Sequence, residues 1–269
     1  MGVLNVTPDS FSDGGRYLDP LDAVAHAVEL VGAGADVIDV GGESTRPGAR
    51  PVGEAEELSR VLPVIDGVVR AMPDVPVSID TTKSAVAAAA LAAGASIVND
   101  VSAGIADPRM LDVAAAAGAG YVAMHMAGTP STMQEGPRYH DVVGEVADFL
   151  IGRLDAARAA GIPDDALMAD PGIGFGKTLE HNLTLLAELQ RLVALVEVPV
   201  LIGTSRKSFI GRVLGDEVLG LDDATLGTTV WAFERGAAMV RVHEPRSAAH
   251  AARLLIEVRR AETVQGAAA

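Results

Sequence analysis

The sequence has no cysteine, no apolar run long enough to span a bilayer, and only 3% aromatic residues among its 269. The first absence excludes a disulfide scaffold, a thiolate metal site and a cysteine nucleophile. The second makes membrane insertion an unfavoured reading. No basic segment leads into an apolar one at the start, so the cytoplasm is the expected compartment. Positive charge is also scarce. Lys and Arg number 21 against 36 Asp and Glu, a formal net charge of −15. Nucleic acid is therefore not an expected partner, because binding it requires many cations to neutralise phosphates. Any anionic substrate must instead be met by a local cluster. The six histidines show no metal-binding spacing.

What is abundant is apolar sequence, 49% of the chain, broken into short runs. Met1 to Val6, Val37 to Val40, Val77 to Asp80, Ile97 to Asp100, Tyr121 to His125, Leu167 to Asp170, Val200 to Gly203 and Met239 to Val242 read as strands. Amphipathic helical stretches separate each from the next. Asp19 reads as an N-cap with Pro20 at the first helical position, and Leu58, Val61, Leu62 and Ile65 share one face of the second helix. Eight β-then-α units with nearly continuous apolar strands imply parallel strands covered by helices. No composition shift marks a linker, and the length suits a single-domain α/β fold, the (β/α)8 barrel. One domain is expected over residues 1–269, with 264–269 a disordered tail.

A weak repeat supports this organisation. Gly34, Gly94, Gly118 and Gly236 each end a helix, are followed by alanine, and lead into an apolar strand. Aligned on these glycines, Asp39, Asn99, Ala123 and Arg241 fall at one depth. Polar residues there point to function, since strand tips and βα loops form the active face of a closed barrel.

The stretch LMADPGIGFGKT, Leu167 to Thr178, reads as a buried strand closed by Asp170 and entering a glycine-rich loop. It is not a P-loop. Three residues, not four, separate Gly172 from Gly176, and Pro171 occupies the first-glycine position. What it offers is a carboxylate at a strand tip beside backbone able to approach a ligand. Two-residue periodicity puts Arg241 with His243, Ser78 with Asp80, and Val3 with Asn5 on common strand faces. The mouth should then hold Asn5, Asp80, Asn99, Asp170, Arg241 and His243, joined by Lys207 from the loop after the seventh strand. Asp and Asn suit the donor edge of a heterocycle, whereas Arg and His suit a phosphate.

Plainer readings compete with these. Asp80, followed by Thr81, Thr82 and a helix, reads in isolation as a cap for that helix. His125 is expected to be a satisfied buried histidine, with His26, His140, His181 and His250 on the surface. Met124 and Met168 are expected as core filler. Phe11, an aromatic in a polar loop, has little structural reason to be there and reads as a lid or substrate contact.

The segments NVTPDSFSDGG from Asn5, GGESTRPG from Gly41, SIDT from Ser78, VND from Val98, DPGIGFGK, SRKSF from Ser205, and RVH from Arg241 resemble those of dihydropteroate synthases. They appear in the family's order from the first residues to the last strand. The resemblance implies a TIM barrel, a homodimer, and a Mg²⁺-dependent transferase of folate synthesis that is targeted by sulfonamides. Its reaction would join 6-hydroxymethyl-7,8-dihydropterin diphosphate to p-aminobenzoate and release diphosphate.

Carried over by position, the resemblance assigns Asn5 to Mg²⁺ and Asp80, Asn99, Asp170 and Lys207 to the pterin. Thr45, Arg46, Arg241 and His243 fall on the diphosphate side. Phe11, Pro47, Phe175, Lys207 and Ser208 fall on the p-aminobenzoate side. Asp80, Lys207 and Arg241 would be the catalytic set. A pterin-binding methyltransferase domain would share the barrel and the pterin-side acids, but should not need the TRPG, SRKS and RVH segments. A silent paralogue would be expected to have lost some of these residues, and none is lost.

Overall fold

The computed structural model describes residues 1–7, 19–46, 48–215 and 221–266. Phe11 and Pro47 therefore lie outside the described residues. Eight short strands are present among them: β1 Gly2–Asn5, β2 Ile38–Gly41, β3 Val77–Asp80, β4 Ile97–Asp100, β5 Gly120–Met124, β6 Leu167–Asp170, β7 Leu201–Ile202 and β8 Met239–Val240. Helices α1 Pro20–Gly32, α2 Glu54–Ala71, α3 Ser84–Ala92, α4 Met110–Ala117 and α5 Val142–Ala160 follow the first five strands in turn. Pairs of helices follow β6 and β7: α6 Leu179–Ala187 with α7 Leu189–Val196, then α8 Ser208–Leu214 with α9 Leu221–Glu234. Helix α10, Pro245–Gly266, follows β8.

Strands β1 to β6 pair in sequence order, all parallel, and β7 pairs with β8. Parallel bridges between Ala169 and Val200 and between Gly2 and Val242 join the two sheets at both edges. At the second seam the Val3 N–H donates to the Val242 carbonyl, and the Val242 N–H to the Met1 carbonyl, both at 3.0 Å. The sheet is thereby closed, and the chain is a single-domain (β/α)8 barrel.

Closure explains why the strands lack clean alternation. Leu4, Ile38, Val40, Ile79 and Val98 are fully buried between the barrel and its helices, while Met1, Val37, Val122 and Leu201 pack together inside it. Both faces of the sheet are covered, so nearly every strand residue must be apolar. The helices begin and end where local chemistry dictates. The Asp19 carboxylate accepts the Leu21 N–H at 2.9 Å with Pro20 following, and Thr178 and His181 form a reciprocal capping box at the start of α6.

Two expectations are corrected here. Helix α10 continues to Gly266, so residues 264–266 are helical rather than disordered. No residue between Pro245 and Gly266 is a helix breaker, which lets the helix run on. Asp80 does not cap α3. The N-cap of that helix is Lys83, and the Ser84 N–H is satisfied by the Asp107 carboxylate at 3.0 Å.

The loop after β6 is held against the loop after β5. Gly172 has φ 65°, and a Cβ built there would lie 1.9 Å from the His125 carbonyl oxygen. Only glycine can turn the chain at that spot, and the turn brings residues 172–176 over the barrel mouth.

Candidate functional site

The carboxyl ends of the strands open into a cavity of about 460 Å³. Asn5 closes β1, Asp80 β3, Asn99 lies one residue before the end of β4, and Asp170 closes β6. These four, with Thr45, Arg46, Phe175, Lys207, Ser208, Arg241 and His243, line that one cavity. The structure thus brings together every expected site residue that it describes.

At the floor lies a buried charge cluster. Arg241 Nε donates to Asp39 Oδ2 at 2.6 Å, and Arg241 Nη2 donates to Asp80 Oδ2 at 2.8 Å. Asn99 Nδ2 donates to the same Asp39 oxygen at 3.1 Å. Burial pushes Asp80 up, to about 7, while Arg241 pulls it down. The guanidinium is itself pulled down by burial, but its two carboxylate partners outweigh that and hold it above its ordinary value. It is always charged in this setting, so an ion pair is the arrangement that satisfies both groups. Only Nη1 is left outside these bonds to carboxylates.

Asp39 was visible in the glycine-aligned repeat but not placed in the site. It is completely buried, and its Oδ1 has no hydrogen-bond partner among the described residues. The clue was its depth, shared with Asn99 and Arg241, which are its two partners. Among the lining residues not foreseen as part of the site are Glu43, Met133, Gln134 and Met124, the last expected to be core filler. Gln134 donates to the Gly174 carbonyl at 2.9 Å, tying the loop after β5 to the glycine-rich loop. No strand or helix periodicity marks a loop residue of this kind.

Asp170 forms the opposite wall. One of its oxygens accepts the Gly172 N–H at 2.7 Å. Burial raises its pKa, opposed by Lys207 and by that N–H. Lys207, the N-cap of α8, donates to the Ile173 carbonyl and lies 4.6 Å from the centre of the Phe175 ring. Desolvation lowers it to about 8, against the attraction of Asp170. Beneath the loop, Lys177 is buried with its amine 2.9 Å from His125 Nδ1 and 3.0 Å from the Phe175 carbonyl. Burial lowers Lys177 to about 7, and burial with Lys177 lowers His125 to about 3. His125 is accordingly a satisfied, neutral histidine, as expected.

On the remaining side His243 Nδ1 lies 2.9 Å from Ser205 Oγ, which also accepts the His243 N–H at 3.2 Å. Burial and then Arg241 lower the imidazole to about 3. It is neutral at working pH, and in the tautomer whose Nδ1 accepts the serine hydroxyl the proton sits on Nε2, a donor for an anion.

Among the described residues no cluster of three or more His, Asp or Glu could hold a metal. Asn5 offers one hard oxygen, close to Gly41 and Asp80. Such a site fits Mg²⁺ carried mainly by ligand phosphates and water, not a protein cage.

An acid and amide wall joined to a cationic rim at the mouth of a (β/α)8 barrel defines an enzyme for a small heterocycle bearing an anionic group. The comparisons with known proteins agree. The pterin-binding enzyme family matches residues 1–243. The dihydropteroate synthase of Mycobacterium leprae is 48% identical over 262 residues, 95% of this chain and 91% of that one. A crystal structure of Yersinia pestis dihydropteroate synthase with a sulfonamide drug superposes with a TM-score of 0.91 at 41% identity, covering 97% and 94% of the two chains. Xanthomonas albilineans dihydropteroate synthase in complex with 7,8-dihydropteroate does so at 0.85 and 42%, covering 96% and 92%. The chain belongs to the pterin-binding enzymes and, within them, to the dihydropteroate synthase family.

The state of His243 can be checked by pH. Its folded pKa, about 3, lies below the ordinary 6.5, so its contribution to stability is complete above pH 6.5 and is lost as pH falls towards 3. The difference in unfolding free energy between the parent and His243→Gln should therefore shrink on acidification below 6.5. Denaturant titrations giving a constant difference between pH 7 and 4.5 would contradict a neutral buried imidazole.

Proposed function

We infer that this cavity joins 6-hydroxymethyl-7,8-dihydropterin diphosphate to p-aminobenzoate, giving 7,8-dihydropteroate and diphosphate. The observation that carries the reading is the single cavity in which a buried carboxylate and amide wall meets the Arg241 and His243 rim. A pterin's donor edge needs the first, and a diphosphate needs the second.

Asp170 and Asn99 hold the pterin ring, with Lys207 over it. Thr45, Arg46, Arg241 Nη1 and His243 Nε2 receive the diphosphate. Phe175, Lys207 and Ser208 border the p-aminobenzoate side, which Phe11 and Pro47 would complete; a sulfonamide would compete there. Mg²⁺, held through Asn5 and the diphosphate oxygens, would neutralise charge on the leaving group.

No side chain need act as nucleophile. The bond between the exocyclic CH₂ and the diphosphate oxygen breaks, and its electron pair leaves with the diphosphate. The electron-rich ring bears the resulting positive charge, with anionic Asp80 beside it. The aniline nitrogen then forms the new C–N bond and loses a proton to solvent. Positioning and charge stabilisation are the protein's contribution.

We also propose a cytoplasmic homodimer. Among the described residues no helix is long and apolar enough to cross a membrane. Leu183 on α6, Leu195 on α7 and Trp231 on α9 are exposed, and the Trp231 indole donates to the Leu186 carbonyl at 2.7 Å, which joins α9 to α6. An apolar face on neighbouring helices supports a twofold contact. Sedimentation should give twice the chain mass, and a monomer at micromolar concentration would contradict it.

The order of bond changes is tested with the pterin diphosphate labelled at its bridging oxygen. Incubated with Mg²⁺ and no amine, the protein should scramble label into non-bridging positions or slowly hydrolyse the substrate. Added p-aminobenzoate should then yield dihydropteroate. Cleavage that depends strictly on the amine would point to direct displacement, and absence of dihydropteroate would overturn the function.

A further inference from the structure

The loop between β2 and α2 supplies four consecutive residues to the cavity, Glu43 to Arg46, yet Glu43 has no part in the chemistry above. Its carboxylate is fully engaged elsewhere. Oε1 accepts the N–H of Val52, nine residues further along, at 3.0 Å, and Oε2 accepts from Lys83 Nζ. The same ammonium donates to Glu57 Oε2 at 2.5 Å. Glu57 lies in the first turn of α2 with its side chain wholly buried, and its other oxygen has no partner among the described residues.

These contacts have an order of necessity. A buried carboxylate without a cation is strongly unfavourable, so Lys83 is held in place by Glu57. Desolvation works to lower the Lys83 pKa, but the bonds to Glu43 and Glu57 outweigh it and leave it raised, so the ammonium stays charged. Its remaining donors fix Glu43, and Glu43 in turn closes the loop on Val52. The Arg60 guanidinium, donating to the Gly42 carbonyl at 2.8 Å, pins the loop's first residue to α2. Lys83 itself follows β3, three residues after Asp80.

We propose that Lys83 is a positioning residue for the anion side of the site. Through Glu43 it sets the backbone that presents Thr45 and Arg46, and thus governs affinity for the diphosphate without touching the pterin. The proposal rests on the reading that Thr45 and Arg46 receive the diphosphate. It gives the tip of β3 two separate duties: Asp80 serves the ring and Arg241, and Lys83 serves the neighbouring loop.

Calorimetry with two probes separates these duties: inorganic diphosphate with Mg²⁺, and 6-hydroxymethyl-7,8-dihydropterin without its diphosphate. Glu43→Gln breaks the ion pair to Lys83 and leaves the buried Lys83 to Glu57 pair intact, so the fold should survive. It should weaken diphosphate about tenfold and leave the pterin within about twofold. Lys83→Met combined with Glu57→Gln, which removes the wholly buried charge and leaves only the partly exposed Glu43 carboxylate, should do the same, and Lys83→Arg should retain most of the affinity. A parent that binds both probes while these variants keep its diphosphate affinity would overturn the proposal alone. Equal loss of both probes would also overturn it, by showing general damage. A parent that binds the pterin but not diphosphate would overturn the underlying reading and the proposal with it.

Discussion

A guanidinium held between two buried carboxylates is the constraint on which this site depends. Arg241 comes from just beyond β8, Asp39 from β2 and Asp80 from β3, so the cluster reaches across the seam where the sheet closes. Replacing such a group with apolar side chains of similar volume is often neutral or stabilising, whereas removing one partner is costly. Its presence therefore argues for a task other than stability. Two of the three buried side-chain atoms that lack partners among the described residues, Asp39 Oδ1 and Ser78 Oγ, belong to β2 and β3, the strands that supply the two carboxylates. The barrel bears these costs around its mouth, where a ligand's charges would be met.

The arrangement also reconciles an acidic protein with an anionic substrate. Against a net charge of −15, Arg241, Lys207 and Arg46 converge on one cavity, with Lys177 beneath its glycine-rich loop. Desolvation lowers both lysines towards neutrality, and Asp170 opposes this in each case. Cations kept partly unsatisfied by burial are poised to gain from an anion, and the carboxylates hold them in position until one arrives.

Much of this was legible in the sequence for a simple reason. Parallel strands covered on both faces leave apolar runs with abrupt ends, so β3, β4 and β6 begin and end where the runs do. β7 and β8 are two residues long, shorter than their apolar runs, and the flanking Val200 and Val242 pair with β6 and β1 only through isolated bridges. Asp80 taken alone looked like a helix cap, and the N-cap at Lys83 together with the contact to Arg241 decides against that role. Asp39 sat at the right depth in the repeat, but which strand residues point into a closed barrel depends on its register, which no local pattern encodes. Gln134, Glu43 and Lys177 act through partners 40, 40 and 52 residues away, beyond the reach of periodicity.

The central claim is that the planar fork of Arg241, braced by Asp39 and Asp80, is what binds the leaving group. Arg241→Lys keeps the charge and removes the fork, so it isolates that claim. The measurement is affinity for diphosphate in the presence of Mg²⁺. A point charge cannot serve two carboxylates and a phosphate with the same geometry, so the account predicts a loss of more than about tenfold, roughly 1.4 kcal/mol. A lysine variant that binds diphosphate as tightly as the parent would contradict it.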